Sequence, residues 1–187
     1  MSGHRWVADP PEDEDGPPAD PEQVARTILL RRLESAPRTR SELDATLRER
    51  QVPDDVAQRV LDRFEEVGLI DDAMFARLWV ESRQRGRLLS GRALRSELRR
   101  KGVPDAIIDE ALQAVTADDE LGAAREVAAR KARSVVGLPR ATQVRRLSGA
   151  LARKGYGPAV TAQVVREALA AVEPGSDLTE APPAVWE

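Results

Sequence analysis

Residues 94–112 read LRSELRRKGVPDAIIDEAL, and two other stretches of the chain carry the same pattern. Its key positions are Leu94, Leu98, Val103, Pro104, Asp105, Ile107, Ala111 and Leu112. Fifty-one residues earlier they are Leu43, Leu47, Val52, Pro53, Asp54, Val56, Val60 and Leu61. Fifty-three residues later they return more loosely as Leu147, Leu151, Tyr156, Gly157, Pro158, Val160, Val164 and Val165. A period of this length marks a supersecondary unit stacked on itself. Within each copy a Leu pair four residues apart ends one helix, and a Pro-containing turn opens the next. Stacked helical units offer an extended surface to a long or large ligand.

Outward from these copies the spacing predicts nine helices and no strand. The first spans about 22–35, with Ala25, Ile28, Leu29 and Leu33 on one face, and Pro37 stops it. Thr39 and Glu42 form a capping box for the second, about 40–50. Pro53 and Asp54 open the third, whose expected buried stripe is Val56, Val60, Phe64 and Val67, with Gly68 as a left-handed stop. Asp71 or Asp72 caps the fourth, which turns Phe75, Ala76, Trp79 and Val80 inward. Ser90 caps the fifth, Gly102 closes it, and Pro104–Asp105 opens the sixth. The seventh is expected to start at Asp118–Asp119, with Leu121, Ala124, Val127 and Ala128 inward. The eighth lies between Pro139 and Gly155, and the ninth opens at Pro158 and ends before Pro174. This organisation divides the chain into three-helix units at 22–70, 71–117 and 118–172, flanked by segments 1–21 and 173–187. Both flanks are rich in proline and acid and poor in apolar residues, which predicts disorder.

Composition supports an all-α reading. Aromatics are 3% of the 187 residues, and the apolar content is mostly Ala, Leu and Val. There is no cysteine, so neither a disulfide nor a thiolate metal site is available. No apolar run reaches membrane-spanning length and no secretory signal opens the chain, so a cytoplasmic location is expected.

The net charge of −3 conceals a gradient. Residues 1–21 carry one Arg against six acids, and residues 173–187 carry four acids and no base. Between them the three units have net charges of −1, +2 and +5 in chain order. A gradient of this kind favours an anionic partner toward the third unit. A plainer explanation is compositional, since 26 of the 29 basic residues are Arg.

Few residues offer chemistry. The one His, His4, lies in the acidic arm, so a His–carboxylate or Ser–His pair on a rigid scaffold is excluded. Zinc ligands and phosphate-binding glycine loops are missing. The acid clusters Glu12–Asp15, Asp71–Asp72 and Asp118–Glu120 are poor Mg²⁺ candidates; the latter two sit at helix starts, where capping explains them. The expectation is a binding protein with no catalytic residue, metal or cofactor.

Basic stripes are the stronger signal. Arg92, Arg95 and Arg99 share one arc of the fifth helix, and Arg145, Arg146 and Arg153 one arc of the eighth, each away from the Leu pair. The second helix lacks such a stripe and mixes Ser41, Asp44, Arg48 and Glu49. Arg83, Arg85 and Arg87 lie at the end of the fourth helix, and Arg130, Lys131 and Arg133 at the equivalent place one unit later. No stripe combines Arg with Asn or Gln as a base-reading set, so phosphate-style contact fits better than a sequence-reading helix-turn-helix.

The stretch from Phe75 to Leu112 resembles the RecX family, bacterial modulators of the RecA recombinase. The likeness rests on Phe75-Ala76, Trp79-Val80, Arg83, Leu94, Glu97-Leu98, Lys101-Gly102-Val103 and Ala111-Leu112, preceded by Gly68-Leu69-Ile70-Asp71-Asp72. The third unit adds Arg146-Leu147, Leu151, Lys154-Gly155-Tyr156, Val164-Val165 and Ala168-Leu169. The resemblance implies three tandem three-helix repeats in an elongated, curved array. It implies binding to RecA, as protomer or as the filament on single-stranded DNA, and suppression of its ATP hydrolysis and strand exchange. It also implies weak DNA affinity and a role in DNA repair and the SOS response. On this reading the partner-contacting residues are Arg83, Arg85, Arg92, Arg95, Arg99, Arg130, Lys131, Arg145, Arg146 and Arg153, on a monomer. Two alternatives remain at this level: a sequence-independent DNA-binding protein with no protein target, and a scaffold that holds a partner helix in a groove. One departure from the pattern is Gln51, which stands where the second unit has Gly102 and predicts a differently shaped helix end.

Overall fold

The computed structural model describes residues 20–172. The expected acidic arm and tail, with the Glu12–Asp15 cluster, therefore lie outside the described residues except for Asp20 and Pro21. Among the described residues there are nine helices and no strand. They are α1 (Pro21–Ser35), α2 (Arg40–Glu49), α3 (Asp54–Glu66), α4 (Asp72–Arg87), α5 (Gly91–Arg100), α6 (Asp105–Gln113), α7 (Ala117–Ala132), α8 (Arg140–Arg153) and α9 (Pro158–Ala170).

Local chemistry accounts for most helix ends. Asp20 caps α1 by accepting from the amide of Glu22, and Pro21 supplies the first helical residue. Thr39 and Glu42 close the expected capping box of α2. The Ser90 hydroxyl accepts from the amide of Ala93 at the start of α5. The seventh helix corrects the sequence reading: it begins one residue before Asp118, and its cap is Thr116. Thr116 and Asp119 form a second capping box there, so Asp119 closes the box rather than opening the helix.

The three repeat copies end their Leu-bearing helices in the same way. Gln51, Gly102 and Gly155 all have left-handed backbone, with φ of 58°, 76° and 90°. The next amide in each, that of Val52, Val103 and Tyr156, reaches back to the carbonyl of Leu47, Leu98 and Leu151. This is the Schellman closure. Gln51 thus adopts the glycine conformation, contrary to the expectation of a different helix end. The surrounding hydrogen bonds and burial of Val52 hold it there.

Apolar side chains gather in three clusters, one per three-helix unit. The Leu pairs Leu43–Leu47, Leu94–Leu98 and Leu147–Leu151 are fully enclosed, as their spacing requires. Val67 departs from the expected stripe of α3. The helix stops at Glu66, Val67 is 50% exposed, and Ile70 beyond the turn is buried instead.

The chain forms two compact bodies, one through Asp71 and the other from Asp72 onward. The first has α1, α2 and α3 around Leu29, Leu43, Leu47 and Leu61. The second holds both remaining three-helix units. Within it Leu88, from the α4–α5 connection, is buried in the cluster formed by α7, α8 and α9.

Candidate partner-binding surface

In the second body four of the candidate cations on α4 and α5, Arg83, Arg85, Arg95 and Arg99, are tied to acids, three of them on another helix. Arg83 is half-buried and lies 4.0 Å over the Trp79 ring. Its Nε and the Trp79 indole N–H both donate to Glu97 Oε2, at 3.2 and 2.9 Å. This residue fastens α4 to α5 as well as facing outward. Arg85 is exposed and pairs with Glu81 one turn earlier.

The stripe on α5 is not all-basic in three dimensions. Arg99 makes a two-pronged contact with Asp105, Nε to Oδ1 at 2.7 Å and Nη2 to Oδ2 at 3.1 Å. The hydrogen bond to Arg99 holds the Asp105 carboxyl below its ordinary range, and the same bond raises the Arg99 guanidinium. Arg95 pairs with Asp109 at 2.5 Å. Arg92 donates from Nε to the carbonyl oxygen of Gly155 at 3.2 Å. Two acids on α6 therefore give this face mixed sign.

The third unit differs. Arg145, Arg146 and Arg153 are exposed on α8, and Lys131 is half-buried at the end of α7. Among the described residues none of these four has an ion-pair partner. Arg130 is exposed and pairs with Glu126 one turn earlier. Arg146 and Arg153 lie seven positions apart with Ala150 between them, so they share one face of α8.

The ends of α7 and α8 meet the α4–α5 connection around a recess of about 340 Å³. Arg130, Lys131, Arg153 and Lys154 line it, over a floor of Leu88, Val127 and Ala150. Three of these cations were expected at the site. Lys154 was not, although Lys154-Gly155-Tyr156 was visible as a motif. Its ammonium donates to the carbonyl oxygen of Arg87, which holds it at the rim.

A set of backbone and side-chain hydrogen bonds fixes the elements around this recess. The Ser90 amide donates to the Lys154 carbonyl at 3.0 Å, and the Tyr156 hydroxyl to the Leu88 carbonyl at 2.9 Å. Burial, together with the charges of Glu120 and Glu126, pushes the Tyr156 hydroxyl up to about 12. No group of three or more potential metal ligands occurs among the described residues. None of their helices is long and apolar enough to cross a membrane.

Comparison with known proteins matches each unit in order. Residues 25–64, 71–112 and 118–165 fit the first, second and third three-helix domains of RecX. The regulatory protein RecX of Streptomyces coelicolor is 52% identical over 153 residues, spanning 82% of this chain and 81% of the relative. That of Thermobifida fusca is 46% identical over 163 residues, spanning 84% and 88%. That of Mycobacterium tuberculosis is 44% identical over 154 residues, spanning 80% and 88%. The crystal structure of RecX from Lactobacillus salivarius shares the fold, with a TM-score of 0.73 at 20% identity over 81% of this chain and 99% of that one. With all three domains matched in order, and identities of this size over four-fifths of both partners, the chain belongs to the RecX family.

Proposed function

We propose that this chain is a non-enzymatic regulator of RecA. It binds the RecA protomer or the RecA filament on single-stranded DNA, and it inhibits ATP hydrolysis and strand exchange, so tuning DNA repair and the SOS response. The protein acts in the cytoplasm as a monomer, through three units at 22–70, 71–117 and 118–172. Contact is made by Arg83, Arg85, Arg92, Arg95 and Arg99 of the second unit and by Arg130, Lys131, Arg145, Arg146 and Arg153 of the third.

The observation that carries the reading is the free cationic face of the third unit. Its arginines Arg145, Arg146 and Arg153 project from one helix, and among the described residues no carboxylate pairs with them. Forked guanidinium donors in that state suit phosphate or carboxylate on a large anionic surface. The paired arginines of α5 contribute less, because a partner must compete with Asp105 and Asp109 for them.

The test is DNA-dependent ATP hydrolysis by RecA of the same organism, preassembled on limiting single-stranded DNA, with the protein titrated in. Inhibition well below the RecA concentration is expected. It should weaken at least tenfold in R145E/R146E/R153E. A general DNA binder would instead show no inhibition with DNA binding intact, and that result would overturn the proposal. Salt separates the two further, since naked-DNA affinity resting on phosphate contact falls steeply with ionic strength.

A further inference from the structure

We infer that the recess at the ends of α7 and α8 is an acidic-peptide site whose occupant is this chain's own segment Val185–Trp186–Glu187. The recess combines two features that a bare phosphate would not use together. Its floor of Leu88, Val127 and Ala150 is apolar, and its volume of about 340 Å³ admits one large side chain. Its rim is four cations with no carboxylate among the lining residues. Lys131 and Arg153 have no ion-pair partner among the described residues, while Glu126 holds Arg130 and the Arg87 carbonyl holds Lys154. Such a site selects an apolar or aromatic side chain flanked by carboxylates, with the cations free to contact both the carboxylates and the ring face.

Residues 173–187 have that chemistry. They carry Glu173, Asp177, Glu180 and Glu187 and no base, and their largest apolar side chain is Trp186 beside Val185. Length also fits. Val172 and Arg140 line a common recess at the start of α8, whereas the basic recess lies at the other end, at Ala150, Arg153 and Lys154. The 14 residues of α8 separate those ends by about 20 Å. A connection of 13 or 14 residues has a root-mean-square reach of about 20 Å. When reach matches span, a tethered ligand has an effective concentration in the millimolar range, so even a weak contact is populated.

Docking of this segment covers Lys131 and Arg153. The consequence that it competes with an anionic partner rests on the proposed function above; the docking itself does not. The full-length chain labelled with 5-fluorotryptophan provides the test, its three tryptophan ¹⁹F signals being assigned with W6F and W186F. At low salt the Trp186 signal should be displaced from its position in the synthetic peptide 173–187, and the displacement should persist on dilution. In K131E/R153E it should return to the peptide position, while the Trp79 signal stays in place as a reporter of the fold. A Trp186 signal at the peptide position in the unaltered chain would overturn the inference, as would a displacement indifferent to K131E/R153E. A displacement lost on dilution would assign the recess to the tail of a second copy. A displaced, reversal-sensitive Trp6 with Trp186 free would assign it to the N-terminal acidic arm. Either result overturns the occupant named here. None of these readouts involves RecA, so failure of the docking and failure of the regulatory function are told apart.

Discussion

The hydroxyl of Tyr156, between α8 and α9, donates to the carbonyl oxygen of Leu88, between α4 and α5, at 2.9 Å. Both residues are buried, and Leu88 has left-handed backbone with φ of 52°. The bond joins the turn that closes the third unit's Leu-bearing helix to the turn that begins the second unit's. Around it, the Ser90 amide donates to the Lys154 carbonyl and the Arg92 side chain to the Gly155 carbonyl, so hydrogen bonds to main-chain carbonyls join the two units as well as apolar contact. Two cations, Arg92 and Lys154, are held at this junction, each by a hydrogen bond to a main-chain carbonyl of the other unit.

Removal of the hydroxyl leaves the Leu88 carbonyl buried without that partner. Tyr156→Phe should therefore destabilise the second body by about 1–3 kcal/mol. Urea unfolding followed by far-ultraviolet circular dichroism would show this as a lower midpoint, and an unchanged midpoint would refute it.

Glycine is required at position 155 for two reasons. Its φ is 90°, and a Cβ there would stand 2.5 Å from the Ser90 hydroxyl oxygen and 2.7 Å from the Ala93 Cβ. Gly68 also has positive φ, 73°, yet a Cβ there meets nothing within 4 Å. Gly68→Ala should thus cost about 1–2 kcal/mol from backbone strain alone. Gly155→Ala should cost about 1–3 kcal/mol more, because Ser90 and Ala93 must move. Paired thermal melts of the two variants measure the difference.

Stability at high pH should follow Tyr156. Its folded pKa of about 12 lies above the ordinary tyrosine value of 10.0, so the folded state favours the protonated hydroxyl. The stabilisation is complete below pH 10 and is lost as pH rises through 12, because the unfolded chain releases its proton first. Denaturant midpoints across that window should fall in the unaltered protein, and the fall should be smaller in Tyr156→Phe.

Charge reversal should separate the two basic helices. Arg95→Glu and Arg99→Glu place new carboxylates opposite Asp109 and Asp105, and the double variant should unfold at a modestly lower temperature as two exposed ion pairs are lost. Arg145→Glu and Arg146→Glu break no ion pair among the described residues, and each should change stability by less than about 0.5 kcal/mol. Calorimetric unfolding of the two double variants tests this. It also shows which set is fit for binding measurements.

Acid titration gives a further check on α7 and α9. Hydrogen bonds from Arg125, then Gln163, hold the Glu167 carboxyl down to about 2, against an ordinary 4.5. The bonding is intact above pH 4.5 and is lost as pH falls toward 2. Nuclear magnetic resonance titration of the Glu167 side chain should therefore show an apparent pKa well below the ordinary glutamate range in the unaltered chain, and one raised toward it in Arg125→Ala, where the Gln163 bond remains.

The amino-acid sequence by itself determined the helical class, the three copies and most helix limits. Those features depend on neighbours within a few positions: the Leu pairs four apart, the Thr39–Glu42 box, the Ser90 cap and the prolines that open α3 and α9. Tertiary structure decided the sign of each basic face, because Asp105 and Asp109 reach Arg99 and Arg95 of α5 across a helix–helix contact, while no carboxylate among the described residues pairs with Arg145, Arg146 or Arg153 of α8. It placed Lys154 beside Arg130, Lys131 and Arg153, residues that meet only when the ends of α7 and α8 converge on Leu88. It also turned Val67 outward and held Gln51 in a glycine-like conformation, since closure of a helix end depends on what the following residues bury. Periodicity reports which face of a helix is apolar, but an ion pair depends on what the opposite helix brings to it.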